Sequence, residues 1–498
     1  MKVGQKLVAG LLLLAAALVG CSHLPSVGPD YAEPGITAPE AAAPDAGYPT
    51  TNKTATGEFR AAQTNEDPRA VITDASIRAW WNQFNDDALT NLVAAAVSNN
   101  LTFLMAQERL VQARWALVGS AAAFMPKVTM DGTYTRSGAH RFTSSRAASG
   151  TSAHGDHWAS GFDATWEIDL FGGSRRAYES ADAALAAAEY TLEDAWVTLT
   201  SEIGREYISL RTTQERLRVA RANLKLQSET YDILKSRLDS GIGDELAVNQ
   251  AKYNVEQTRA SIPNLLAAEE KYMNALAILS GTMPGALHAL LGELPDRNWL
   301  VAPQRLAAIP LDAMRARPDV RAAERRLAAQ VAAVGIAKAM LFPKFYINGS
   351  LGLDSVKANR FFRREAFLGS IGPSFSWPIF QGGNVYANIK AEEARMNEAF
   401  LNYELTLEKA YGEVRDAYAA YTQEYHRYMA LEGAVAAAND AVAISKDLFR
   451  TGLRDFTAVI DAQRSLLTLQ EARVISRGQI AEHMIALYKA LGGGRSGR

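Results

Sequence analysis

Few side chains in this 498-residue chain are typed and spaced for chemistry. Cys21 is the single thiol, so neither an internal disulfide nor an all-cysteine metal site can form. His154, Asp156 and His157 fall within four positions of one another in a Gly/Ser-rich stretch, Ser137–His157, which reads as an exposed loop. Their types would suit a metal, and ordinary polar surface is the other reading. Four carboxylates, Asp131, Asp163, Glu167 and Asp354, stand in segments of alternating polarity. Asp461 and Arg464 are three residues apart, so they share one face of a helix. There is no Walker loop, no His-Glu-x-x-His and no Gly-x-Ser-x-Gly; "SGIGDEL" (240–246) lacks the third glycine and the strand context of a dinucleotide site. The eleven methionines are scattered. The expectation is a protein without catalysis, cofactor or metal.

Bulk properties narrow the partners. The chain is 48% hydrophobic and 21% charged, with net charge −2. It has no basic excess of the kind nucleic-acid binding calls for. Lys2 and Lys6 precede "LVAGLLLLAAALVG" (7–20), an apolar run too short to span a bilayer, which takes about 20 residues. Residues 1–20 therefore read as a signal peptide. Leu18-Val19-Gly20-Cys21 resembles the lipobox of bacterial lipoproteins, which implies that Cys21 is acylated and becomes the first mature residue. By the same resemblance, Ser22 in place of an Asp favours the outer membrane. Residues 21–70 are rich in Pro, Ala, Gly and Thr without a helical or strand period, and read as an extended tether. No later segment carries about 18 consecutive apolar residues, so any crossing must be made by strands.

The remainder is written twice. "FMPKVTMDGTY" (124–134) echoes "LFPKFYINGSL" (341–351), and "LFGGSRRAYESADAAL" (170–185) echoes "FQGGNVYANIKAEEAR" (380–395). "RLDSGIGDELAVNQA" (237–251) echoes "LFRTGLRDFTAVIDA" (448–462). This gives a first repeat over 71–295, a second over 296–492 and a short tail, 493–498. Each repeat reads as helix, strand pair, very long helix, turn, helix. From Ser174 to about Ser240 the apolar positions step by threes and fours without a proline, interrupted only by Gln214 and Gln227. The run from Asn384 to Arg450 matches it in length. Gly241 and Gly452 read as the stops of the long helices, with Asp244 and Asp455 placed either to cap the next helices or to favour their positive ends. Shorter helices are expected over about Asp87–Ala123 and Pro318–Met340.

Between short and long helices lie strand pairs, at about 127–136 and 158–167, then 344–354 and 367–379. Val128, Met130, Tyr134, Phe162, Ala164 and Trp166 alternate with polar residues, as do Phe345, Ile347, Leu351, Phe367, Ile371, Phe375 and Trp377. One apolar and one polar face fit a barrel with lipid outside and water inside, the four carboxylates facing the lumen. In such a duct they would either favour cations or be solvated wall charge. Four strands cannot close a barrel, so copies must share one, and three copies give twelve strands.

At this point the chain resembles the TolC-type outer-membrane factors, in their lipidated OprM/NodT-like branch. The carriers are Leu18–Cys21, "WWNQFNDDALTNL" (80–92), "RARPDVRAAERRLAA" (315–329), the two Pro-Lys strand starts and "TGLRDFTAVIDAQRSLL" (451–467). The resemblance implies an α+β membrane protein, a homotrimer whose twelve-stranded barrel continues into a periplasmic helical barrel. It implies the exit duct of a tripartite efflux pump, with outer-membrane lipid, a periplasmic adaptor and an inner-membrane pump, of the proton-driven resistance–nodulation–division type, as partners. Adaptor contact then falls on Gly241, Ile242, Thr451, Gly452 and Leu453, and gating on Asp461, Arg464 and Arg454. The chain departs from the TolC pattern, which has a carboxylate where Ala458 sits and a Thr-Asp pair where Leu246-Ala247 sit. A type I protein-secretion duct and a non-transport lipoprotein stalk are the alternatives.

Overall fold

The computed structural model of the protein describes residues 26–34, 79–137, 155–294, 314–451 and 453–493. The signal segment, Cys21, most of the tether, His154, Gly452 and residues 494–498 lie outside the described residues. Two compact units are present, and each draws segments from both repeats: of the described residues, 26–34, 110–137, 155–188 and 323–403 form one, and 79–109, 189–294, 314–322, 404–451 and 453–493 the other.

The first unit holds an antiparallel sheet of four strands in chain order, β1 (Lys127–Ser137), β2 (Gly155–Ile168), β3 (Lys344–Ser355) and β4 (Phe367–Ser376). β4 ends three residues short of the expected 379, because Ser376 already pairs with Lys344, the first residue of its partner strand. The register sorts every side chain. Met130 faces Phe162, which faces Leu351, and Trp166, Ile347 and Pro373 fall in line on the same side. This apolar face is bare: Met130, Phe162, Ile371 and Phe375 are all exposed. Near one end of it the rings of Tyr134 and Trp158 lie 4.3 Å apart. At the other end both repeats use the same fastening. Trp166 Nε1 donates to the Phe124 carbonyl and Trp377 Nε1 to the Leu341 carbonyl, each at 3.0 Å and each two residues before a strand-opening proline. From Trp158 to Trp166 is about 27 Å along the strand, or about 21 Å of height at barrel tilt, near the apolar band of outer-membrane barrels.

Part of the stretch read as a tether is tied to this unit. Val27 N–H donates to the Phe171 carbonyl, Asp30 pairs with Arg176 at 2.5 Å, and the Tyr31 hydroxyl donates to Glu324 at 3.0 Å. A nine-residue strap, starting five residues after Cys21, is thus held by Arg176 and Glu324.

The second unit is helical. In chain order the long helices are α1 (Asp87–Asn99), α2 (Leu101–Ala121), α3 (Gly173–Asp239), α4 (Glu245–Leu279), α5 (Pro318–Ala339), α6 (Asn384–Arg450) and α7 (Thr457–Ala490), with a single helical turn at His288–Leu291 after α4; α2, α3, α5 and α6 have residues in both units. α3 and α6 have 67 residues each, about 100 Å of helix. The expected single helix over 87–123 is broken instead. Asn100 is extended and buried; its Oδ1 caps Phe103 N–H at 2.9 Å and its Nδ2 donates to the Leu279 carbonyl at 3.0 Å. Tying the end of α4 outweighs one uninterrupted turn. The apolar stripe of α3 is buried through Leu199, Ile203, Tyr207, Leu210 and Leu217. Gln214 is buried in it too, satisfied by Glu269 and by the Leu291 carbonyl.

Two strings that carried the resemblance prove to be anchors. Trp80 is fully buried, and a Cβ on Gly204 would collide with its ring. Asp86 caps α1 through Ala88 N–H and accepts the Tyr207 hydroxyl at 2.5 Å. Arg317, also buried, binds Asp319 with two nitrogens, Glu413 at 2.8 Å and the terminal α7 carbonyl of Ala490 at 2.7 Å.

Arg317→Ala would take the guanidinium away from the Asp319 and Glu413 carboxylates and the Ala490 carbonyl, leaving Asp319 only the Val320 N–H. The expected loss is on the order of 3–5 kcal/mol, read as a lower denaturant midpoint of the detergent-solubilised protein. Burial first, and the Asp319 carboxylate second, push the neighbouring Asp194 carboxyl above its ordinary range. A raised folded-state value means that the folded protein holds this proton more tightly than the unfolded chain. Stability therefore falls as pH climbs through that window and stays lower above it. Asp194→Asn should raise the melting temperature at pH 7, and the gain should shrink toward zero as pH drops below the ordinary Asp value. A constant gain at every pH would contradict this account.

Candidate functional site

The repeated turn builds the candidate site, at the tips where α3 meets α4 and α6 meets α7. In the first tip Gly241 is left-handed at φ 77°. Its N–H donates to the Leu238 carbonyl and Ile242 N–H to the Arg237 carbonyl, so the last carbonyls of α3 are satisfied by a Schellman turn. In the second tip the outer bond of the same motif runs from Leu453 N–H to the Leu448 carbonyl at 2.9 Å. The restart differs between the two. Asp244 caps α4, accepting Leu246 N–H at 3.0 Å. Asp455 does not cap α7, one of its two expected roles. Phe456 is buried edge-on against Phe449 with ring centres 5.2 Å apart, and the helix begins only at Thr457. Seating that ring displaces the carboxylate from the cap position.

Behind the turns the two hairpins share a core of Leu234, Ala247, Val248, Ala251, Phe456, Val459 and Ile460. Above it opens a groove of about 500 Å³, edged by Arg237, Ile242, Asp244, Arg454 and Asp455. Arg237 lies 5.4 Å from the Phe449 ring centre, a cation–π contact across the hairpins. Ile242 and Leu453 are 72% and 71% exposed. Apolar side chains held outward on stiff turns mark a contact surface. Thr451 is exposed beside them, its hydroxyl donating to the Asp447 carbonyl. Of the five expected tip residues the structure thus gathers four; Gly452 lies outside the described residues.

The expected gate residues Asp461 and Arg464 are both exposed on α7, one turn apart, without an ion pair to each other. Arg464 turns to Tyr253 on α4, 5.4 Å from its ring centre and 3.5 Å from its hydroxyl. Tyr253 and Arg464 occupy the same position of the two repeats, 211 residues apart. Sequence reading missed Tyr253, although aligning the repeats one helical turn further would have paired it with Arg464. Arg454 lines the groove rather than α7.

Asp131, Asp163, Glu167 and Asp354 fall on one face of the sheet, the polar one. Glu167 pairs with Lys344 at 3.4 Å, and Asp354 with His157 at 2.9 Å. Of the expected triplet His154 lies outside the described residues, and Asp156 and His157 do not converge. β2 begins at Gly155, so Asp156 and His157 are strand residues and point to opposite faces, Asp156 to the Tyr134 hydroxyl and His157 to Asp354. Among the described residues no three His, Cys, Asp or Glu side chains gather as metal ligands. Also among them, no single helix is long and apolar enough to cross a membrane.

A sheet with one bare apolar and one carboxylate-bearing face, joined to paired long helices that end in duplicated turns, defines an outer-membrane channel of the TolC type. The chain belongs to the outer membrane efflux protein family, whose model matches residues 92–282 and 309–493. It is 29% identical over 475 residues to nodulation protein T of Rhizobium leguminosarum bv. viciae, covering 94% of this chain and 90% of that one. It is 28% identical to the pyoverdine export outer membrane protein OpmQ of Pseudomonas aeruginosa, covering 85% and 89%. Among solved structures the outer-membrane channel OprN superposes with a TM-score of 0.80 at 31% identity, over 94% of this chain and 99% of that one. The protein is a TolC-like efflux channel of the outer membrane.

At Gly241 a Cβ would meet no atom within 4 Å, so only the backbone opposes substitution. Gly241→Ala should cost about 1 kcal/mol, confined to the first tip, and Gly241→Asn less. Amide exchange at Ile242 and the last turn of α3 should quicken severalfold in the alanine variant, with the global melting temperature unchanged. A collapse of the whole protein would mean that the tip is not an independent turn.

Proposed function

We propose that the protein works as a homotrimer. Three four-stranded sheets close a twelve-stranded barrel, and the paired helices continue it as a tunnel for small molecules delivered by an inner-membrane pump. The observation carrying this is the sheet itself: its lipid-fitting face is complete, while its edge strands β1 and β4 have no partner within the chain's own sheet. In hydrocarbon such edges must be paired, and copies of the same chain can pair them. The exposed apolar residues Leu101, Met105, Trp115 and Val118 along α2 give the same copies a helical contact.

The tips receive a periplasmic adaptor. Ile242, Thr451, Gly452 and Leu453, with the turn at Gly241, present the contact, and the groove behind them accepts its side chains. Asp461, Arg464 and Arg454 restrict the bore at rest. Within one chain Arg464 is steadied on Tyr253, which leaves Asp461 for a cation on a neighbouring copy. Cys21 carries the lipid, the strap at 26–34 ties the chain close behind it, and the carboxylate face lines the lumen. The duct performs no chemistry, and its pump is of the proton-driven resistance–nodulation–division type.

Site-specific photo-crosslinking from Leu453 in living cells should capture an adaptor protein. Capture of the protein's own copies alone would remove the tip assignment. In planar bilayers the purified protein should give a defined conductance step, and Arg464→Ala should raise the open fraction at rest severalfold. Equal conductance in variant and parent would take Arg464 out of the gate.

A further inference from the structure

The β3–β4 connection, residues 356–366, leaves the sheet at the end away from the helices, and no part of the duct uses its chemistry. It reads "VKANRFFRREA", four cations and two phenylalanines against one carboxylate. The loop is built, not slack. Two 3-10 turns, Ala358–Arg360 and Arg364–Ala366, are stitched by Arg360 N–H to Lys357, Arg363 N–H to Arg360 and Ala366 N–H to Arg363, each at 3.0 Å. Ser355 Oγ braces the start by donating to the Lys357 carbonyl, and Ala366 tucks in at the end.

What this scaffold holds outward is unusual for a water-facing loop. Phe362 is 87% exposed, edge-on to Phe361. Lys357, Arg360, Arg363 and Arg364 are exposed, and among the described residues none has an ion-pair partner. The register fixes their level. Trp158 pairs with Ser355 and Arg136 with Asp156, so Lys357 leaves the sheet at the height of Arg136, with β2 between them, just beyond the Tyr134–Trp158 aromatic pair. Arg136 itself faces Asp156 at 3.8 Å. That is the height at which the lipid-facing band ends and headgroups begin. Guanidinium groups bind phosphate in bidentate fashion, and an exposed ring at that depth lies against acyl chains.

We propose that this loop, together with Arg136, docks the phosphorylated, acylated glycolipid of the outer leaflet. Arg360, Arg363 and Arg364 take its phosphates and Phe362 its apolar portion. The inference rests on the reading that the apolar face of the sheet meets lipid. The loop is then a clamp that seats the channel's rim in its leaflet.

The test is titration of the full-length detergent-purified protein with fluorescent lipopolysaccharide, intact or enzymatically dephosphorylated. Arg360→Ala/Arg363→Ala/Arg364→Ala should weaken binding about 100-fold, and Phe362→Ser about tenfold, with oligomer size unchanged. Dephosphorylated ligand should bind the parent as weakly as intact ligand binds the triple variant. Lys252→Ala, a cation on α4, should bind as the parent does. Unaltered binding by the triple variant, or indifference to phosphate, would overturn the assignment. So would a triple variant that dissociates yet still binds, since the loop would then be a contact between copies. Conductance of the same samples keeps the two readings apart: channels without loop-dependent binding sink only this proposal, and binding without channels sinks only the duct.

Discussion

A peptide group placed in hydrocarbon has no water to turn to, and an N–H or C=O left unpaired there costs several kcal/mol. Four strands pair three seams and leave two edges open, and the rest of the molecule follows from that arithmetic. The strands must be long enough to cross, apolar on one side throughout, and open at both ends of the sheet in a way that another copy completes. The register meets the first two demands: across the middle of the sheet Val128, Met130, Phe162, Trp166, Ile347, Leu351, Ile371 and Phe375 share one side, and apart from Leu368 the other side carries mostly hydroxyls, amides and carboxylates. Gly161 and Gly352 face each other on the polar side so closely that a Cβ on either would strike the other's backbone. Two bare backbones at the centre of the sheet let its lumen side bend inward as a small barrel requires.

Outside the sheet the difficulty reverses. A 67-residue helix has no shortage of internal hydrogen bonds, but it has no globular core to fix its rotation or height. Here the chain relies on buried polar side chains that bind helix ends. Arg317 reaches the last carbonyl of α7, Gln214 and Arg211 bind the Leu291 carbonyl, and Asn100 binds that of Leu279. Each is satisfied by groups that occur at one position along a helix, so a helix shifted by a turn would lose them. An apolar stripe at those positions would permit sliding. Buried polar contacts used this way specify register more than they add stability.

That division explains what was legible in the sequence. The long helices and the four strands were readable to within a few residues, because periods of 3.6 and 2 sustained over many residues survive local accidents. The tip turns were readable because they occur twice. What was not readable depended on a single side chain's partner far along the chain. The break at Asn100 has no Pro or Gly to announce it; its cause lies 179 residues away at Leu279. The strap at 26–34 looked like linker, since Asp30 and Tyr31 acquire meaning only from Arg176 and Glu324. Asp156 and His157 looked like neighbours in a loop, and a strand start three residues earlier than read sent them to opposite faces.

The duplication also accounts for the asymmetry of the tips. Two identical hairpins would bury the same residues and present the same surface, and a bore lined by one motif has nothing to pair with itself. Divergence at one position supplies the difference: residue 253 kept a ring and residue 464 a guanidinium, and the two meet across α4 and α7. A second divergence lies nine residues earlier in each repeat, where Asp244 caps its helix and Asp455, displaced by Phe456, faces the groove uncommitted. The first tip is thereby the more self-contained structure and the second the one with charge left over. Under the proposed gating, movement should begin at the second tip, where fewer local bonds must be broken for the helix start to swing.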